Sequence, residues 1–245
     1  MRNYWFFIIW LASLHISYGQ EQAGGKIVYF QKDNFEDGEC LDFVRDGDIE
    51  GVWEKDLQQI IIIRHGEPAM NKGGWKNREE VIRYSEMYDS VGVYDFQEKP
   101  ICLRNDDLEV IYTSRLPRAI NTAEKTFGSE LLMEQMAIFN EFDNNVIKLP
   151  NIKLPRKFWS VTNRIVWIAG MNDDGIESFS DARERAEEGA AFLDSKAREG
   201  GKVVLFAHGF LNKYLQMYLK RAGYRSVNLN GTKYLGAYYL CKIKE

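Results

Sequence analysis

Ile60-Ile61-Ile62-Ile63-Arg64-His65-Gly66 and Val203-Val204-Leu205-Phe206-Ala207-His208-Gly209 share one pattern. Each is a short, largely β-branched apolar run, followed by a histidine and then a glycine. Runs this short and this apolar read as strands buried on both faces, the kind that builds a parallel sheet. Each histidine then falls just past the carboxyl end of a strand, with a glycine permitting a sharp exit. In open α/β sheets that edge is where ligands bind. The chain has three histidines, and the third, His15, lies in an N-terminal segment of a different kind. Two histidines at two such edges point to one shared site.

The intervening sequence alternates in the same way. Asn77 to Val91 reads as a helix, Leu108 to Tyr112 as a third strand, and Leu116 to Phe127 as a helix with Pro117 in its first turn. Phe179, Ala182, Ala186, Ala190, Leu193 and Ala197 recur at three and four residues and predict a helix over Ser178 to Arg198, stopped by Gly200-Gly201. Phe210 to Ala222 reads as another helix and Ala237 to Ile243 as a last strand. The expected fold is α/β, three layers, with a mainly parallel central sheet flanked by helices.

Two stretches fit this alternation less well. Residues 20–57 are acidic and turn-rich, with a short strand expected at Lys26 to Phe30. Asp46, Asp48, Glu50 and Gly51 loosely echo a calcium loop, but its twelfth position is Leu57 rather than a glutamate, so the segment reads as a solvated hairpin extension. Val146 to Met171 mixes Pro150 and Pro155 with basic and aromatic residues. It reads as a connection packed over the core, with a substrate-facing lid as the alternative. Its Lys153, Arg156, Lys157 and Arg164 would meet an anionic substrate; Phe158, Trp159 and Trp167 would meet an apolar one.

Composition excludes several classes. Of 245 residues, 45% are hydrophobic and 28% charged, which is globular rather than disordered. The net charge of -4 argues against a nucleic-acid partner. Three cysteines with no C-x-x-C give neither a zinc ribbon nor a redox motif, and the spacing of His, Asp and Glu suggests no metal site. Residues 1–19 carry Arg2, an apolar run from Trp5 to Leu14, and the small residues Ser17 and Gly19. This is the pattern of a signal peptide, too short for a comfortable membrane span. The sequence therefore divides into a signal segment (1–19), an acidic extension (20–57) and one α/β domain (58–245), with an extracytoplasmic destination, periplasmic or secreted, expected. Oligomeric state is left open.

Arg64-His65-Gly66-Glu67, Asn71, the segment Thr113 to Ala123 with Arg118 in its helical first turn, Glu141, and His208-Gly209 together resemble the histidine phosphatase superfamily, in its phosphoglycerate-mutase-like branch, branch 1. The resemblance spans about Gln58 to Ile243 and implies roles. His65 is the nucleophile that becomes phosphohistidine. Arg64, Arg118 and His208 form the phosphate pocket, with Arg115 as the rival of Arg118. Asn71 contacts phosphate, or is a turn residue before Gly73-Gly74. Glu141 is the proton donor, with Asp143 as its rival, because the glycine usual after the family's acid is replaced by Phe142-Asp143. Glu177 is a supporting glutamate. No cofactor is implied, and the partner is a small phosphorylated substrate.

The chemistry suits these residue types. Phosphoryl transfer asks mainly for positioning and charge neutralisation, which guanidinium forks supply. An imidazole held in one tautomer can attack phosphorus, and a carboxyl group can protonate the leaving oxygen. Glu67-Pro68 and His208-Gly209 depart from the phytase-like branch, which carries an arginine and an HD pair at those places. True mutases carry more chain between the acid and the second histidine, and glycolysis is not an exported pathway. The expected activity is therefore hydrolysis of phosphate monoesters. The alternatives are a phosphohistidine or phosphoramidate phosphatase, or a non-catalytic relative that binds phosphorylated ligands.

Overall fold

The computed structural model describes residues 41–47, 53–97, 99–102, 108–128, 131–143, 146–148, 152–171, 175–229 and 231–244. The signal segment 1–19, the strand expected at Lys26 to Phe30 and the loop positions Asp48, Glu50 and Gly51 lie outside them. In chain order the elements are β1 (Leu57–Arg64), β2 (Trp75–Lys76), α1 (Arg78–Ser90), β3 (Val110–Ser114), α2 (Pro117–Phe127) and β4 (Leu132–Met136). Then follow β5 (Leu154–Pro155), α3 (Arg156–Ile168), α4 (Phe179–Gly200), β6 (Lys202–Ala207), α5 (Gly209–Arg221), β7 (Arg225–Leu229) and β8 (Ala237–Ile243).

Six strands form one mixed sheet in the order β4-β3-β6-β1-β8-β7. β4, β3, β6 and β1 run parallel, while β8 pairs antiparallel with both β1 and β7. β1 is buried on both faces because its residues alternate between two cores. Ile60 and Ile62 face the cluster built by α4 and α5, with Ala186, Leu193 and Leu215. Ile61 and Ile63 face the cluster of Leu41, Phe43, Ile101 and Ala123. This two-sided burial is why the strand reads as a continuous apolar run.

Register decides where the histidines fall. Ile63 lies opposite Phe206 and Arg64 opposite Ala207, so His65 and His208 leave the sheet side by side. Thr113 also lies opposite Phe206, which brings Ser114 at the end of β3 level with them. Three adjacent parallel strands thus end at one edge.

The helices match the expected ones within a residue or two at each end. Asn77 caps α1 through a capping box with Glu80, and Ser178 caps α4. α4 buries Ala182, Ala186, Gly189, Ala190, Leu193 and Ala197. A side chain at Gly189 would crowd Phe139 and Leu215, so the glycine sets the close approach.

Four expectations need correction. The 20–57 extension is not simply solvated: Leu41 and Phe43 are buried and pack with Ile61 and Ile63 in the second core. The third strand runs over Val110–Ser114 rather than Leu108 to Tyr112, because Thr113 and Ser114 continue it and are buried despite being polar. β4 and β7 were not expected; β4 is a mostly exposed edge strand without an apolar run. The Val146 to Met171 stretch is not merely a connection, since it contains α3. Trp159 and Trp167 are buried on one face of α3 and pin it by donating from Nε1 to the carbonyls of Lys76 and Glu177, each at 2.7 Å. Cys102 is disulfide-bonded, and Cys241 is free and buried.

Candidate active site

His65 is buried, and its Nδ1 lies 2.7 Å from the carbonyl oxygen of Gly66. A carbonyl only accepts, so Nδ1 carries the proton and Nε2 keeps the lone pair. Gly66 is itself fixed, its N–H donating to Thr122 Oγ1 at 2.9 Å, and Thr122 donates to the carbonyl of Arg118 at 2.6 Å. Burial, then the charge of Arg118, pushes the His65 imidazole down to about 3. It is therefore neutral and nucleophilic at ordinary pH.

His208 is fully buried, its ring centroid 5.2 Å from that of His65. Its Nε2 is 2.6 Å from Ser114 Oγ, which accepts the N–H of Leu116 at 3.0 Å and donates its own proton to Nε2, so that Nδ1 carries the proton of the neutral ring. Because that hydroxyl lies between the two, the end of β3 orients the second histidine. Burial first, then Arg118, holds His208 well below the usual histidine range.

Two guanidiniums flank the pair in the same manner. Arg64 donates from Nη1 to the carbonyl of Thr232, and its Cζ lies 4.3 Å from the centre of the Tyr234 ring. Arg118, 1% exposed, donates from Nη1 to the Tyr88 carbonyl at 2.9 Å and to Asp89 Oδ1 at 2.8 Å. In both, Nη1 is gripped by protein while Nε is buried with no hydrogen-bond partner among the described residues. His208 Nδ1 is a third buried nitrogen without a partner. Buried nitrogens are normally satisfied, so three such atoms around one histidine fit an anion with several oxygens.

A cavity of about 480 Å³ opens on this group. Arg64, Arg118, Tyr88, Tyr234, Glu141 and Asp143 stand on its wall, with Trp159, Ser160, Asn163 and Arg164 of α3 opposite. The rings of Tyr88 and Tyr234 lie 6.2 and 5.6 Å from that of His65. Burial, then Tyr234 beside it, pushes the Tyr88 hydroxyl up, so it stays a neutral donor.

The carboxylates serve distinct structural ends. Glu141 accepts the N–H groups of Phe210 at 3.1 Å and Leu211 at 3.0 Å, in the first turn of α5, as well as that of Phe142 at 3.1 Å. It therefore caps the helix that begins at His208-Gly209. Asp143 accepts the Glu177 N–H at 2.9 Å. Glu177 makes a two-pronged pair with Arg185, at 2.6 and 2.7 Å, and Arg185 holds the carbonyls of Ile138 and Asn140 at 2.9 Å each. Glu177 thus fixes the loop that carries Glu141 and is not itself on the cavity wall.

Of the residues expected from sequence, the structure brings together His65, His208, Arg64, Arg118 and Glu141. Arg115 stays exposed and meets the loop only through its N–H, on Asn140. Asn71 is not brought in. It is exposed, accepts the Gly73 N–H at 2.8 Å in a tight turn, and lines a separate hollow with Lys76 and Arg83. Its neighbour Lys72 comes closer to the group, 4.3 Å from the Tyr234 ring centre, and its charge is felt at His65. Sequence reasoning missed Ser114, Tyr88, Tyr234 and Asp89. The signals for the first two are a polar residue ending an apolar strand, and the spacing Val81, Tyr84, Ser85, Tyr88 on one face of α1. Among the described residues no three His, Cys, Asp or Glu side chains gather to hold a metal ion, and no helix is long and apolar enough to cross a membrane.

No curated protein matches the sequence. Several solved structures are similar at low identity. A mycobacterial glucosyl-3-phosphoglycerate phosphatase is 18% identical, with 76% of this chain and 90% of that chain covered and a TM-score of 0.44. A protein described as mycobacterial hydrolase 1 is 20% identical, with 77% and 95% covered and a TM-score of 0.47. The ecdysone phosphate phosphatase of Bombix mori, solved with tungstate, is 14% identical, with 67% and 78% covered and a TM-score of 0.42. The family model described as histidine phosphatase superfamily (branch 1) matches residues 60–235, more than half of the chain. It spans both histidine turns, both arginines and the loop of Glu141, and on that match the chain belongs to branch 1 of the histidine phosphatase superfamily.

Proposed function

We propose that this protein is an exported hydrolase of small phosphate monoesters, working through a phosphohistidine on His65. The observation that carries the reading is the pairing of a tautomer-locked imidazole with three unsatisfied buried nitrogens, Arg64 Nε, Arg118 Nε and His208 Nδ1. His65 Nε2 attacks phosphorus, and the bond from phosphorus to the ester oxygen breaks. The leaving oxygen takes a proton from a carboxyl group on the wall, for which Glu141 is assigned and Asp143 is the neighbouring rival. Water then attacks phosphorus, its proton goes to the same carboxylate, and the phosphorus–nitrogen bond breaks to free inorganic phosphate. The guanidinium edges neutralise the charge on the equatorial oxygens in both steps.

The α3 wall gives the cavity a cover, which favours a small-molecule substrate over a phosphorylated protein surface. Nucleophile, second histidine, both arginines and an acid are all present, which favours turnover over binding alone. For export, the apolar run after Arg2 and the disulfide bond at Cys102 support an oxidising destination.

Hydrolysis of p-nitrophenyl phosphate in EDTA, by wild type and His65→Ala, tests the proposal. Turnover that survives EDTA and vanishes in His65→Ala is expected. Turnover unchanged by His65→Ala contradicts it.

A further inference from the structure

α3 has two faces of opposite character. Toward the cavity it turns Arg156, Trp159, Ser160, Asn163 and Arg164. Away from it stand Phe158, Val161, Ile165 and Ile168, which are 47%, 59%, 61% and 43% exposed. Their spacing of three, four and three residues makes one continuous apolar stripe on the helix. Scattered exposed apolar residues are ordinary, but a contiguous stripe beside a ligand cavity marks a contact surface.

The stripe does not stand apart from the site. Val161 and Ile165 line a second hollow of about 530 Å³, with Gly209, Phe210, Lys213 and Thr232. That hollow and the catalytic cavity share Arg64, Glu141, Ser160 and Arg164 as common wall. The Phe210 ring is held at its base by the Arg164 guanidinium, 4.5 Å from its centre. A ligand whose phosphate sits against Arg64 can therefore extend past Ser160 onto Val161, Ile165 and Phe210 without leaving protein surface.

We propose that the physiological substrate is an amphiphilic phosphate monoester, whose apolar limb lies in the second hollow and along the α3 stripe. This rests on the hydrolase reading and deepens it. The phosphate is neutralised by the two arginines, and the limb removes apolar protein surface from water. Nothing in the chemistry of the phosphoryl step changes.

The test separates binding from turnover. The affinities of butylphosphonate and octylphosphonate, which carry no ester bond to cleave, are measured by calorimetry below their aggregation concentrations. The kcat/KM values of butyl and octyl phosphate are measured alongside. Full burial of a methylene is worth about fourfold in affinity, so a half-covered hollow gives about twofold each and more than about tenfold from butyl to octyl. In Val161→Asp and Ile165→Asp, both at exposed helical positions, the octyl-to-butyl ratio is expected to collapse to within about twofold. Equal affinities for the two phosphonates overturn the proposal, as does a ratio that survives both substitutions; a second protein copy or a lipid surface would then be what covers the stripe. Chain-length-dependent phosphonate binding with no turnover of either ester would sink the hydrolase reading and overturn the substrate claim with it, leaving the hollow as a binding site for an amphiphilic phosphate.

Discussion

Gly209→Ala separates the geometry of the proposed phosphate pocket from the stability of the fold. Gly209 is the first residue of α5, and its φ is not positive, so alanine meets no backbone strain there. Alanine is the better helix former by up to ~1 kcal/mol in helix interiors and by less at a first position, so stability should hold or rise slightly. The new Cβ, however, would lie 3.0 Å from Arg64 Nε and 3.2 Å from its Cδ and Cζ. Arg64 has little room to yield, since Nη1 is tied to the Thr232 carbonyl and the guanidinium rests on Tyr234. The guanidinium must shift by a few tenths of an ångström, away from the edge it offers to phosphate. Losing one charge-assisted hydrogen bond costs about 1.5–3 kcal/mol, or about 10- to 150-fold in kcat/KM. Steady-state kinetics with p-nitrophenyl phosphate, beside a thermal melt of the same protein, provide the readout. Unchanged kinetics would refute the assignment of Arg64 to the pocket; a large fall in melting temperature would refute the claim that Gly209 serves the site rather than the fold.

Other outcomes follow from the same geometry. Asp89→Ala should raise the inhibition constant of phosphate about tenfold by freeing Arg118 Nη1, and Asp89→Asn, which keeps an acceptor at that place, should restore most of it. Glu141→Gln should lower stability by about 1 kcal/mol through the weakened cap on α5. It should also slow alkyl phosphates far more than p-nitrophenyl phosphate, whose leaving group needs no proton; equal slowing would move the acid role to Asp143. The pH dependence has a definite sign. Both site histidines titrate below the ordinary 6.5, His65 at about 3, so the unfolded chain binds more protons as the solution is acidified. Stability is whole above about pH 6.5 and falls below it by ~1.4 kcal/mol per pH unit for each histidine. Denaturant titrations between pH 6 and pH 4 should show His65→Gln losing about half of that slope, and an unaltered slope would contradict the buried, neutral state of His65.

Legibility from sequence followed burial. β1 and β6 were readable because both faces are covered, so each is an unbroken apolar run ending in histidine and glycine. α4 was readable because its small residues recur on one face. β4 was not, because an exposed edge strand of Leu132, Met133, Glu134, Gln135 and Met136 carries no run and no clean alternation. α3 was obscured by Pro155 at its start and by apolar residues on two faces, one packed through Trp159 and Trp167 and the other in solvent. In the site, the expected residues on strand ends and first helical turns lie together because sheet topology puts those positions at one edge. Asn71 takes the turn alternative rather than the phosphate contact; sequence left both open because a short polar residue near glycines suits either. Tyr88, Asp89 and Tyr234 reach the site only through the packing of α1 and of the loop before β8. That loop is shaped by Leu235, which takes a left-handed conformation (φ 60°) and donates its N–H to the Arg64 carbonyl at 3.2 Å.

The central claim is a covalent phosphohistidine on His65. The most direct measurement is acid-free denaturing quench of the enzyme during turnover of a phosphate monoester, followed by peptide mass spectrometry under alkaline conditions. The account predicts one phosphate, stable to alkali and labile to acid, on the peptide containing His65, and none in His65→Ala. Phosphate on another residue, or turnover by wild type with no phosphorylated intermediate even when the second step is slowed by Glu141→Gln, would contradict it.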